Sequence, residues 1–278
     1  MAGRASKLRA STIQNAPGAC PRVFAAVLSS FLTSVLLLAG TAHSADKPAS
    51  IPTLDRPTPA IVIGFVGGFV HSNDTRHSEV QLAQKLRAHY TDRAHIEMFE
   101  NRQWQQARQA ILKWLDADAD GNLSDAEKRG ARIILYGHSW GASAVIALAR
   151  ELQQENIPVL LTVQVDSIAK RGQDDGVVPA NVAQAVNFYQ TQGLLHGRTQ
   201  IIAADPARTE ILGDFRFDYK NQPAACHDYP WLNRHLFKGH TAIECDPRVW
   251  SQVEALINTH FSSANQQVPT ETALQISK

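Results

Sequence analysis

The apolar positions of this chain fall into short unbroken runs separated by stretches of helical period. Ala60 to Val70 (AIVIGFVGGFV) begins as a continuous apolar run and turns Gly-rich, the pattern of a buried parallel strand entering a tight loop. Further strands are expected at Ala94–Phe99, Arg132–Tyr136, Val159–Val165 and Thr199–Ala204. Between them, Glu79–Tyr90 places Val80, Ala83 and Leu86 on one side. Gln103–Leu115 does the same with Trp104, Ala107, Ile111 and Trp114. Ala142–Gln154 and Asn181–Gln190 also read as helices. After an irregular stretch, Asp246-Pro247 opens a last amphipathic helix through about His260. Strands alternating with helices, and strands without polar alternation, predict an α/β fold. The expectation is a doubly wound, mostly parallel sheet with helices on both faces, spanning residues 60–261. Reactive groups in such sheets lie beyond the carboxyl ends of the strands.

Of 278 residues, 44% are hydrophobic and 19% charged, which excludes intrinsic disorder. With 27 Lys and Arg against 26 Asp and Glu, no basic field invites nucleic acid. The N-terminus alters this balance. Arg4, Lys7, Arg9 and Arg22 precede the apolar run Val23–Gly40, and Thr41-Ala42-His43-Ser44-Ala45 follows. A basic region, an apolar segment and small residues at a cut point make a secretory signal, 1–44, with cleavage after Ser44. The alternative is an uncleaved anchor, because about 18 apolar residues are just enough to span a bilayer. Cleavage leaves 234 residues with 23 basic and 26 acidic side chains, a net charge of −3. The expected location is periplasmic or extracellular, without a stable membrane anchor. An extended Pro-rich lead (45–59) and a polar, frayed tail (262–278) flank the domain.

Only Cys226 and Cys245 remain after such a cut. An oxidising destination and an even count predict one bridge between them, closing a loop of about 20 residues and contributing roughly 3 kcal/mol.

The chemistry is concentrated at Gly137-His138-Ser139-Trp140-Gly141, between strand RIILY and the helix from Ala142. This is GxSxG in the strand–turn–helix context it needs. A strained turn lifts the Ser139 hydroxyl clear of the sheet, the glycines let neighbouring backbone approach, and the helix N-terminus favours developing negative charge. The amide of Trp140 is then one oxyanion donor. On these residues, and on the order of elements over Ala60–His260, the chain resembles the α/β-hydrolase superfamily, particularly its secreted lipase- and esterase-like members. The resemblance implies a second oxyanion donor in the loop after the first strand, where the amides of Gly68 and Phe69 are the candidates. The HGGG form of many lipases is absent there. The polar residues of that loop, His71, Asp74, Arg76 and His77, either line a substrate mouth or form ordinary surface.

The resemblance also implies the chain order nucleophile, acid, histidine. Asp166 ends strand VLLTVQV and Asp205 ends strand IIAAD, so either can serve as the acid, with Asp166 favoured; Asp174 and Asp175 lie further along the loop. For the base, the family pattern expects a loop just before the final helix. His240 fits, with His227, His235 and His260 as competitors.

Residues 116–127 match D-x-D-x-D-G-x₅-E in full. Calcium takes six to eight oxygens, which Asp116, Asp118, Asp120, the carbonyl of Asn122, Ser124 and Glu127 would supply. The loop resembles that of an EF-hand, but the hand is incomplete: its outgoing helix stops by Gly130 and no second loop pairs with it. It is expected to clamp the crossover to the nucleophile strand structurally, with no cofactor taking part in catalysis. Two functions follow from these readings. One is a serine hydrolase acting on a small or medium acyl substrate. The other is a non-catalytic, calcium-stabilised binding protein on a hydrolase fold.

Overall fold

The computed structural model describes residues 59–263, with side chains to Phe261. The expected signal segment 1–44, the lead as far as residue 58 and residues 264–278 of the tail lie outside the described residues. The order of elements is β1 (Ala60–Val66), α1 (Ser78–Tyr90), β2 (Ala94–Glu100), α2 (Trp104–Leu115), α3 (Asp125–Arg129), β3 (Ile133–His138) and α4 (Trp140–Gln154). There follow β4 (Val159–Val165), β5 (Val177–Val178), β6 (Val182–Tyr189), β7 (Ile202–Ala203), β8 (Glu210–Arg216), α5 (Trp231–Leu236), α6 (Lys238–Cys245) and α7 (Pro247–Ser263).

Six strands form one parallel sheet in the order β2-β1-β3-β4-β6-β8. Successive residues of β1 and β3 face opposite sides, so the continuous apolar runs supply two cores. Ile61, Ile63, Phe65, Ile133 and Leu135 pack with Ile111, Leu115, Val145, Leu148 and Leu152 of α2 and α4. Val62, Ile134 and Tyr136 pack on the other face with Leu82 and Leu86 of α1 and Val253 and Ile257 of α7. The chain winds from β1 outward to β2, then returns past β1 to β3. The direction of winding therefore reverses between β1 and β3, and the loops that follow these two strands diverge there, leaving a crevice.

Close packing at that crevice needs glycine. A Cβ on Gly137 would stand 2.6 Å from the carbonyl carbon of Gly141, and one on Gly141 would press into the carbonyl groups of Phe65 and Val66 in β1. Neither obstacle is a flexible side chain. Gly141→Ala is therefore expected to destabilise by about 1–3 kcal/mol, read as a lower urea midpoint at unchanged slope; an unchanged midpoint would show that α4 does not rest on β1 as described.

Three expectations are corrected. Residues 181–190 are not helical: Val182–Tyr189 is the fifth strand of the main sheet. Val182, Ala185, Val186 and Tyr189 happen to fall at i, i+3, i+4 and i+7, which mimics a helix. The segment is in fact buried on both sides over its second half, residues 185–188, and carries Val, Phe and Tyr. Of Thr199–Ala204, only Ile202 and Ala203 form a strand, paired with β5 in a separate two-stranded sheet. The sheet edge is instead β8, within the stretch expected to be irregular. Among the described residues, no helix is long and apolar enough to cross a membrane.

Candidate active site

Ser139 caps the N-terminus of α4 with φ 57° and ψ −124°. A non-glycine residue in this region costs of order 1–3 kcal/mol, and the surroundings must hold it there. They do so through backbone bonds: the Ser139 amide donates to the Val165 carbonyl (3.0 Å), and its own carbonyl accepts from Ile168 (3.3 Å) and Ser143 (3.3 Å). The first-turn amides of α4, Trp140 among them, have no acceptor within the helix and lie at its positive end.

Asp166 follows β4, next to β3, and is fully buried. Its amide donates to Phe188 in β6 (2.7 Å). Its carboxylate is held from three directions. Oδ1 accepts from the Gly197 amide (2.7 Å), and Oδ2 accepts from Gln190 Nε2 (2.9 Å) and lies 2.6 Å from His240 Nδ1. Burial alone would raise the Asp166 pKa, but the hydrogen bonds from His240, Gln190 and Gly197 outweigh it and hold the carboxyl below its usual range. The other ring nitrogen, His240 Nε2, is 2.9 Å from Ser139 Oγ. A hydroxyl, an imidazole and a carboxylate from three separate segments thus stand in one hydrogen-bonded row.

His240 lies within helix α6, not in the loop expected before the final helix. The other candidates are elsewhere. Asp205 sits in a turn after β7, accepting from the Ala207 amide (3.0 Å). Asp175 is buried against Ser167 Oγ (2.6 Å) and Arg198, and exposed Asp174 pairs with Arg198 (3.2 Å). His235 stacks on Trp231, His260 reaches Gln184 (3.0 Å), and His227 is exposed. Cys226 and Cys245 are bonded, with Cα atoms 5.6 Å apart, and the segment they close contains His240.

The loop after β1 runs beside the serine: a Cβ on Gly67 would lie 3.0 Å from Ser139 Cβ. Gly68 has φ +48° and its carbonyl accepts from Asn101 Nδ2 (2.6 Å), which fixes the peptide joining it to Phe69. Phe69 is 81% exposed and meets Trp140 edge to face at 5.5 Å, while Lys170 stands over the other ring at 5.7 Å. Phe69, His71, Asp74, Arg76 and His77 line a cleft of about 230 Å³ with Tyr229.

Several functional neighbours carry no sequence signal. Gln190 and Gly197 support Asp166, yet Gln190 ends a segment read as helix. A Cβ on Gly197 would press into the Asp166 backbone, so this glycine lets its loop reach the acid. His138 packs its ring on His240 at 4.5 Å. Burial depresses the His138 pKa to about 4, and its Nε2 has no hydrogen-bond partner. Behind it lie His77, Glu79 and Glu244, all buried.

In loop 116–127, Asp116, Asp118 and Asp120 each bring a carboxylate oxygen within 4.8 Å of the others. Gly121 turns with φ +84°. Ser124 caps α3, accepting from the Glu127 amide (3.3 Å) while Glu127 accepts from the Ser124 amide (2.8 Å). All the oxygens of the expected ligand set thus belong to one exposed loop, a hard donor set that suits calcium.

Fold and site define a doubly wound α/β protein with a serine–histidine–aspartate row at the carboxyl ends of its strands. No protein-family model matches the chain, and neither does any curated protein. Solved structures similar to it include a thioesterase, RedJ, from the prodiginine biosynthetic pathway of Streptomyces coelicolor. It is 10% identical over 80% of this chain and 98% of its own, with a TM-score of 0.37. A thermostable esterase from Pseudomonas putida is 9% identical over 81% of this chain and 78% of its own, with a TM-score of 0.38. An acetyl xylan esterase is 11% identical, covering 73% and 98%, with a TM-score of 0.35.

Proposed function

We propose that this protein is an exported serine hydrolase of the α/β-hydrolase type that cleaves a carboxylic ester or thioester through an acyl-enzyme. The observation that carries this reading is the row Ser139 Oγ, His240 Nε2, His240 Nδ1 and Asp166 Oδ2, with contacts of 2.9 and 2.6 Å. His240 accepts the hydroxyl proton as Ser139 attacks the acyl carbon. Asp166 keeps the remaining proton on Nδ1 and stabilises the imidazolium. The oxyanion is held by the amide of Trp140 and by that of Gly68 or Phe69. The imidazolium then protonates the leaving group, and water releases the acid by the same steps. Phe69 and Trp140 offer an apolar wall to a small or medium acyl group.

A screen of p-nitrophenyl esters tests this reading, with intact-mass detection of the acyl group on Ser139. No turnover of any ester, together with no acylation, would overturn it.

Calcium is assigned to loop 116–127 as a structural ion, supported by the full motif and its all-oxygen donor set. Asp116, Asp118, Asp120, the Asn122 carbonyl, Ser124 and Glu127 would hold it, and it supplies cross-linking rather than chemistry. The loop lies in the connection from α2 to β3, so the ion would tie the approach to Ser139. A ligand at about 100 times its Kd contributes roughly 2.7 kcal/mol, worth about 5–10 °C for a chain of this size. EGTA is expected to lower Tm by that amount in the wild type and to leave Asp116→Ala unmoved; a wild type indifferent to EGTA would remove calcium.

A further inference from the structure

Beneath the serine row, His77, Glu79 and Glu244 meet in the interior. His77 is the residue before α1, Glu79 lies in the first turn of α1, and Glu244 is four residues beyond His240 on α6. Each offers one ligand atom, and the three atoms lie within 4.8 Å of one another. His77 Nδ1 contacts Glu244 Oε1 directly, and His138 Nδ1 is 3.6 Å from Glu244 Oε2. Glu79 is wholly buried, and neither of its carboxylate oxygens has a hydrogen-bond partner. Burial and the neighbouring Glu244 raise the Glu79 pKa to about 8, and the nearby amides of Gly67 and of Glu79 itself, which oppose that rise, make no well-formed bond to the carboxyl.

A wholly buried carboxyl with neither oxygen partnered calls for an explanation, and a bound ion is one that also fits the neighbouring donors. Two buried carboxylates beside one imidazole can both ionise only if a further positive charge joins them, because the interior tolerates net negative charge poorly. A divalent cation answers both needs. One imidazole nitrogen with two carboxylate oxygens is a mixed donor set that suits zinc better than calcium or magnesium, which prefer oxygen alone. Zinc holds its donors at about 2.0–2.2 Å, hence roughly 3.3 Å apart, so small side-chain rotations would close the set around it. An entry path exists: His77 also lines the cleft formed by Asp74, Arg76 and Tyr229.

We propose that His77, Glu79 and Glu244 bind a zinc ion that cross-links the start of α1 to α6. The site is separate from the acidic loop 116–127 and does not depend on the chemistry assigned to Ser139. The ion would fasten the helix that carries His240 to the body of the domain.

The test is zinc titration by calorimetry on the untagged chain, stripped with chelator and then saturated with calcium so that the acidic loop is filled. One tight equivalent is expected in the wild type, in Ser139→Ala and in Asp116→Ala, and loss of that equivalent in the isosteric Glu79→Gln. Cobalt in place of zinc should give the intense visible bands of a low-coordinate nitrogen–oxygen site in the wild type and lose them in Glu244→Gln. Absence of tight zinc uptake by the wild type would overturn the proposal, leaving a proton to satisfy Glu79. So would retention of the equivalent in a folded Glu79→Gln or Glu244→Gln, or its loss in Asp116→Ala. Because Ser139→Ala is expected to bind normally, failure of the hydrolase reading and failure of the zinc site remain distinguishable.

Discussion

Ser139→Ala is expected to lower kcat on the best ester by about a million-fold, while the fold and Tm stay close to wild type. The magnitude follows from removing the nucleophile of a unit whose members act together. The hydroxyl makes no other hydrogen bond that holds the fold: its partner is His240 Nε2, and the strained turn is held through backbone atoms. Alanine keeps the Cβ and the turn. A fluorophosphonate reagent should label the wild type at this residue alone and leave the variant unlabelled. Equal turnover by wild type and variant would place the chemistry at another group and end the case for Ser139.

The second large effect is expected at Asp166. Asp166→Asn should lower kcat by about ten-thousand-fold with little change in shape. The amide is isosteric, but it reverses the hydrogen-bond demand on His240 Nδ1. With asparagine presenting N–H₂ to the ring, Nδ1 becomes an acceptor, the proton moves to Nε2, and that nitrogen can no longer accept from Ser139. If asparagine presents its oxygen instead, its N–H₂ takes over the place that accepts from the Gly197 amide (2.7 Å), which leaves that donor unpaired. Asp205→Asn is the matched control and should leave kcat unchanged, since Asp205 only caps a turn. A comparable loss in both variants would return the choice of acid to the question left open by the sequence.

The serine and its turn were legible because they are local: Gly137, Ser139 and Gly141 are five consecutive positions' worth of steric demand between a strand and a helix. The partners across space were legible only in part. Asp166 could be read from its place at the end of an apolar run, and His240 from its place before α7. The helical setting of His240 was hidden, because Lys238–Cys245 is too short to show a period. β6 shows no strand period, because Val182, Ala185, Val186 and Tyr189 recur at helical spacing, and only burial on both sides of the sheet sets it apart from a helix. The support given to Asp166 by Gln190 and Gly197 depends on how β6 pairs with β4, which no local pattern encodes. Glu244 lies more than 160 positions from His77 and Glu79, and only the packing of α1 against α6 brings it beside them.

The ring of His240 is fixed on two sides. Nδ1 is tied to a carboxylate that Gln190 and Gly197 also hold, and one face lies against the ring of His138 at 4.5 Å. Such an imidazole cannot turn over between the two halves of a turnover. On the proposed mechanism, the proton it collects from Ser139 has to be handed on from the same nitrogen. A substrate of that mechanism must therefore lie with its departing oxygen or sulfur on the Nε2 side, and acyl donors too bulky to adopt that one orientation would be turned away by direction rather than by size.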